Sequence, residues 1–173
     1  MRFSKTTIEG VLIVEPDLHA DTRGFFTRLS CPEEFAHAGV TFEPRQTSLS
    51  RNIARHTLRG MHYCNEPEAK LVRCTRGAIF DVVFDIRLGS ATYGKSLGLE
   101  LDAISARGLY IPAGLAHGFL TQEPDTDVLY QIDRLYRPGF DAGLRWNDPF
   151  FSFIWPHEPA VIDTRDAAYP DFT

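Results

Sequence analysis

Short apolar runs recur along the whole chain, separated by Gly, Pro, Asp and Ser. Runs of that length with that punctuation predict β-strands. The clearest spans Ala78–Ile86, where Phe80, Val82, Phe84 and Ile86 alternate onto one face and Asp81, Val83 and Asp85 onto the other. Further strands are predicted over residues 10–14, 24–29, 45–51, 57–63, 69–75, 94–101, 107–111, 117–121 and 127–134. One helix is predicted over 31–38: Ser30-Cys31-Pro32-Glu33 fits a capping box, and Gly39 stands at a suitable position after the last turn. Residues 102–107 offer a second helical turn. About ten strands with one or two short helices predict an all-β jelly roll. Long amphipathic helices are absent, which argues against a doubly wound α/β enzyme. Neither a GxGxxG nor a Walker sequence points to a nicotinamide or to NTPase chemistry.

Bulk properties narrow this without redirecting it. A length of 173 residues fits one domain over 1–173, long enough to bury most of a core. Thirteen Phe against two Met suit a β-rich fold, because flat rings pack well on pleated surfaces. A net charge of -5 gives no reason to expect nucleic acid or an anionic membrane as a partner. Cys31, Cys64 and Cys74 form no CxxC pair and are read as three reduced thiols in a cytoplasmic protein. The N-terminal MRFSKTTIEGVLIVEP carries Glu9 and no small-residue cleavage site, so it is read as a first strand, not a signal peptide. No apolar run approaches the roughly 20 residues that span a bilayer.

Candidate chemistry begins at His62, the end of Leu58-Arg59-Gly60-Met61-His62. A histidine on an apolar strand is commonly a satisfied structural residue, so its neighbours decide. Simple alternation places Leu58, Gly60 and His62 on one face and Arg59, Met61 and Tyr63 on the other. A polar group aimed into a barrel needs a partner, and imidazole paired with a carboxylate is a good general base near neutral pH. Lys70 follows in Lys70-Leu71-Val72-Arg73-Cys74, where alternation sets Lys70, Val72 and Cys74 opposite Leu71 and Arg73. A lysine sharing a face with valine and cysteine is a poor surface residue. Beside His62 it would stabilise an enolate oxygen.

His117 ends Pro112-Ala113-Gly114-Leu115-Ala116-His117, the second half of a cupin metal pattern. The first half here lacks its second histidine, and Lys70 stands where an acidic ligand is expected, so a metal site is disfavoured. Tyr130 either packs its ring in the core or donates its proton, its phenol having an ordinary pKa of about 10. Tyr136 is a candidate to stack on a flat ligand. Arg23, Arg59 and Arg73 are candidates for phosphate, which guanidinium binds as a fork; any one of them alone reads first as solvated surface charge.

Taken together, the ordered motifs resemble those of the dTDP-4-dehydrorhamnose 3,5-epimerases, double-stranded β-helix (cupin) enzymes acting on nucleotide sugars. They include Glu15-Pro16, Asp21-Thr22-Arg23-Gly24-Phe25-Phe26, Leu58-Arg59-Gly60-Met61-His62, Lys70-Leu71-Val72-Arg73, Ala116-His117-Gly118, Val128-Leu129-Tyr130 and Trp146-Asn147-Asp148-Pro149. The resemblance runs from about residue 7 to the C-terminus. It implies that His62 removes protons from C3 and C5 of a dTDP-4-keto-6-deoxyhexose, with Asp166 orienting it. Tyr130 would return protons on the opposite face and Lys70 would stabilise the enolate at O4. Arg23, Arg59 and Phe26 would hold the nucleotide diphosphate, Arg23 across the interface of a homodimer, and His117 would line the sugar pocket. Arg28 and Gln46 fall in segments that face the nucleotide or sugar, at positions where many members carry Glu and Asn respectively. No cofactor is implied, because the 4-ketone acidifies both neighbouring C–H bonds.

Within this class a single-centre 3- or 5-epimerase or a 3,4-ketoisomerase is a close variant. From other classes come a sugar-nucleotide-binding cupin without activity and a metal-dependent dioxygenase. The combination of His62, Lys70, Tyr130 and Asp166 argues against the first, and the missing His-x-His against the second.

Overall fold

A computed structural model describes residues 1–172. Two sheets face each other. The first runs in the order β1 (Arg2–Lys5), β2 (Leu12–Glu15), β10 (Gly108–Ile111), β7 (Lys70–Arg76), β12 (Thr126–Ile132) and β5 (Gln46–Asn52). The second runs β13 (Asp141–Gly143), β6 (Thr57–Cys64), β11 (Leu115–Thr121), β8 (Ala78–Asp85) and β9 (Ser96–Asp102), with β14 (Val161–Ile162) parallel to β6. A separate hairpin pairs β3 (His19–Asp21) with β4 (Gly24–Phe26). Among the described residues, helices are confined to α1 (Pro32–His37) and α2 (Thr164–Ala167).

Strand alternation sorts the apolar residues into three layers. Val72 and Cys74 of β7, Val128 of β12, Val83 of β8 and Phe119 of β11 meet between the sheets. Leu71 and Tyr110 face outward from the first sheet, under Phe35 of α1 and Phe42. Val82, Phe84 and Met61 face outward from the second, where Leu144, Phe151 and Trp155 of the C-terminal segment cover them. The middle strands β7 and β8 are therefore covered on both faces, which is why they read as near-continuous apolar runs.

Alternation fails at one place. Antiparallel partners share a face, and His62 pairs with His117 while Arg59 pairs with Phe119. Three steps on β6 thus match two on β11: a β-bulge at Gly60–Met61, opposite Gly118. Arg59 consequently shares the inner face with His62, correcting the assignment from simple alternation, while Met61 packs outward, opposite His62 as alternation places it. The close approach explains both glycines. A Cβ on Gly60, whose φ is +125°, would lie 2.6 Å from the Gly118 Cα, and one on Gly118 would lie 2.6 Å from the Met61 sulfur.

Three other expectations are corrected. The N-terminal stretch read as one strand is two, β1 and β2. β2 is paired on both sides, by β1 and by β10. Cys31, not Ser30, is the N-cap of α1, and no side chain caps it, although Gly39 does take a left-handed φ of +79°. Residues 102–107 form a turn, not a helix, because the Asp102 carboxylate accepts the N–H groups of Ile104 and Ser105. The second helix lies instead at α2, where the Asp163 side chain accepts the N–H of Arg165.

Candidate active site

The edge of β6 explains how His62 gains its partner. β13 covers the edge at residues 62–64 and β14 covers it at Thr57 and Leu58. The N–H of Gly60 falls in the gap between them, and Asp166 of α2 accepts it at 2.9 Å. The other oxygen of the same carboxylate meets His62 Nε2 at 2.8 Å. Asp166 is buried while the His62 side chain stays 42% exposed, an orientation that leaves the imidazole reachable. Burial disfavours the charged Asp166, but the bonds from His62 and the Gly60 amide outweigh it and hold its pKa below the ordinary value. Since Nε2 faces the carboxylate, Nδ1 is the ring nitrogen left for chemistry.

A second His–Asp pair lies alongside. His117 Nε2 is 2.8 Å from Asp81 Oδ1, and both are buried. The His117 ring meets Tyr130 edge-on at 5.9 Å. Burial foremost, then the Asp81 carboxylate, pushes the Tyr130 phenol well above its usual range, against the pull of Arg59. The phenol therefore stays protonated and has a proton to give. Lys70, on the inner face of β7 with Val72 and Cys74, is buried with its Nζ 3.3 Å from Glu68 Oε1. Arg59 is held by Asn52, whose Oδ1 accepts from Nε at 2.7 Å.

The inner face thus brings together His62, Lys70, Tyr130, His117 and Arg59. At the mouth, Gln46 Oε1 accepts the backbone N–H of Tyr136 at 2.8 Å, and the Tyr136 ring is exposed. Arg73 does not join them. It sits on the outer face of β7, 1% exposed, donating to the carbonyls of Leu29 and Ala106, with burial lowering its pKa to about 10. Its assignment to phosphate is corrected: this arginine is structural. Arg23, Phe26 and Arg28 lie on or beside the β3–β4 hairpin, outside their own barrel. Arg23 is paired with Asp21, and Arg28 with Glu34 at 2.9 Å. Phe25 and Phe26 border a cavity of about 320 Å3 against Arg73 on the outer face of the first sheet. Among the described residues no group of three His, Cys, Asp or Glu is placed to hold a metal.

Asp81, Asn52 and Glu68 are not found from the sequence. Asp81 alone left a signal, as a carboxylate on the inner face of an apolar strand.

A jelly roll whose inner face carries a histidine–aspartate pair, a lysine and a tyrosine has the groups of a barrel enzyme that works by proton transfer. The chain belongs to the dTDP-4-dehydrorhamnose 3,5-epimerase family, whose sequence profile matches residues 5–173. It is 39% identical to the dTDP-4-dehydrorhamnose 3,5-epimerase of Sinorhizobium fredii over 98% of this chain and 89% of that protein. The fold matches the crystal structure of the Bacillus anthracis enzyme with TDP and PPi bound, with a TM-score of 0.95, 34% identity and 99% coverage of both chains. It also matches the Legionella pneumophila epimerase in complex with dTDP-4-keto-L-rhamnose, with a TM-score of 0.93, 33% identity, and 98% of this chain and 92% of that one covered.

Proposed function

We propose that this chain epimerises a dTDP-4-keto-6-deoxyhexose at C3 and C5, converting the glucose to the rhamnose configuration without a cofactor. It would do so as one catalytic domain of a cytoplasmic homodimer. The observation that carries this reading is the His62–Asp166 pair at 2.8 Å, on the same inner face as Lys70 and Tyr130. Family membership supplies the substrate class, and the bound TDP and dTDP-4-keto-L-rhamnose of the two related structures support it. Among the described residues no helix is long and apolar enough to cross a membrane.

Each step follows from a residue type. The C4 ketone acidifies the hydrogens on C3 and C5, so a base of ordinary strength suffices. His62 takes the proton on Nδ1, and Asp166 stabilises the imidazolium that forms. Negative charge passes to O4, where the Lys70 ammonium meets it. Tyr130 delivers a proton to the opposite face of the same carbon, which inverts it. His117, fixed by Asp81, lines the sugar site beside Tyr130. Arg59 holds the diphosphate, and Gln46 and Tyr136 flank the nucleotide at the mouth.

Arg23, Phe26 and Arg28 stand on the outer side of their own barrel, so they act across the dimer, on the partner's nucleotide. The exposed rings of Phe25 and Phe26 on a projecting hairpin support this assignment. Incubation with dTDP-4-keto-6-deoxyglucose followed by proton NMR tests the proposal. Couplings of a product inverted at both centres are expected; inversion at one centre would select a monoepimerase, and unchanged substrate would refute the assignment.

A further inference from the structure

Tyr169 has no place in the chemistry above, yet it touches its centre. It lies three residues after Asp166, just past the end of α2. Its ring meets the His62 imidazole edge-on, with centroids 5.9 Å apart and planes at 76°. The ring also lies flush on Gly143, the residue paired with His62 across β13 and β6; a Cβ there would fall 2.2 Å from Tyr169 Cε2. The Arg165 guanidinium stands 5.5 Å from the ring centre. The hydroxyl is buried beside the Arg165 guanidinium without a hydrogen bond of normal geometry, and it is the ring that touches His62 and Gly143.

One short helix and the residues just after it therefore put two groups on one imidazole. Asp166 fixes Nε2 through a hydrogen bond, which alone still permits the ring to tilt about that contact. A ring packed edge-on removes the tilt, and Gly143 gives that ring room to do so. We propose that Tyr169 is a positioning residue for His62: its aromatic ring, not its hydroxyl, holds the imidazole so that Nδ1 faces the sugar. Edge-to-face contacts of this kind are directional as well as attractive, and a small misplacement of a reacting group is costly in rate. The proposal rests on His62 being the base.

The ring is separated from the hydroxyl by Tyr169→Phe, and from bulk by Tyr169→Leu, with Tyr169→Met in its place if Leu disturbs the fold. Expected for Phe is turnover within about twofold of wild type. Expected for Leu is a kcat about tenfold lower with KM changed less than twofold. In histidine-15N NMR, His62 should show a single tautomer in wild type and Phe, and averaged ring-nitrogen shifts in Leu. Equal turnover and equal His62 shifts in Phe and Leu would overturn the proposal. So would a lower kcat in Leu with an unchanged His62 spectrum, because the loss would then not pass through the imidazole. Activity persisting in His62→Ala would sink the base assignment instead, and the two failures are read separately.

Discussion

Replacing Asp166 by asparagine keeps the size of the side chain and changes one oxygen into an N–H donor. In the native site both oxygens accept, one from the Gly60 amide at 2.9 Å and one in the pair with His62 Nε2 at 2.8 Å. A carboxamide cannot serve both. If its oxygen stays on the Gly60 N–H, its amide faces Nε2 and favours the tautomer with the proton on Nδ1, the nitrogen assigned to the substrate. If the amide turns over, its N–H groups face the Gly60 N–H, two donors against each other at a buried position. Either arrangement disables the base or orphans a backbone donor. Losing one charge-assisted hydrogen bond costs stability about 1.5–3 kcal/mol. Catalysis should suffer more, since a wrong tautomer in a comparable His–Asp pair costs on the order of a thousandfold or more in turnover, a barrier higher by about 4 kcal/mol. Urea denaturation reads the first figure. Steady-state kinetics read the second, with KM expected to hold because Asp166 does not touch the substrate. An Asp166→Asn enzyme within a fewfold of wild-type kcat would refute the reasoning about the pair.

Three further outcomes follow from the same geometry. Tyr130→Phe removes the proton that completes inversion, so product formation should fall at least about a hundredfold while deuterium still washes into C3; undiminished product would remove Tyr130 from the acid role. Gly118→Ala places a methyl 2.6 Å from the Met61 sulfur and 2.8 Å from the Arg59 carbonyl. The bulge must then open, at a cost of about 1–3 kcal/mol in thermal unfolding, and activity should fall with it because the same bulge turns His62 inward. Asp85 is held far below the ordinary carboxylate range: burial works against its charge, but Arg87, Thr92 and Ser90 outweigh it. A depressed carboxylate pKa stabilises the fold above the unfolded value of 3.8 and loses that contribution as pH falls below it. Denaturant midpoints should therefore drop between about pH 5 and pH 2, and Asp85→Asn, less stable at neutrality, should flatten that drop.

What the sequence discloses is whatever a single strand determines by itself. The alternation in Ala78–Ile86 and in Lys70–Cys74 places Phe80, Val82, Lys70 and Val72 on the faces they occupy, because both strands are regular along their length. The bulge is invisible from β6 alone, since it is defined by counting residues against β11. That is why alternation separates Arg59 and His62 onto different faces when they share one. Arg73 shows a different gap. Alternation puts it opposite Lys70, which the structure bears out, yet the fork-shaped chemistry of arginine suggests phosphate where the actual acceptors are the carbonyls of Leu29 and Ala106. Residue type states what a group is able to bind, not what the fold offers it. Asp166 lies 104 residues from His62, and no periodicity links them; resemblance points to the aspartate, and the gap between β13 and β14 explains its reach. Tyr169 left no trace because an edge-on ring contact has no sequence pattern.

Deuterium wash-in is the measurement that meets the central claim, that His62 is the base acting beside the C4 ketone. Wild-type protein and His62→Ala are incubated in D2O with dTDP-4-keto-6-deoxyglucose, and the C3 and C5 signals are followed by proton NMR. The wild type should lose both signals as deuterium replaces the abstracted protons, while His62→Ala, folded by its amide spectrum, should leave both intact. Exchange at wild-type rate in His62→Ala would contradict the account at its root.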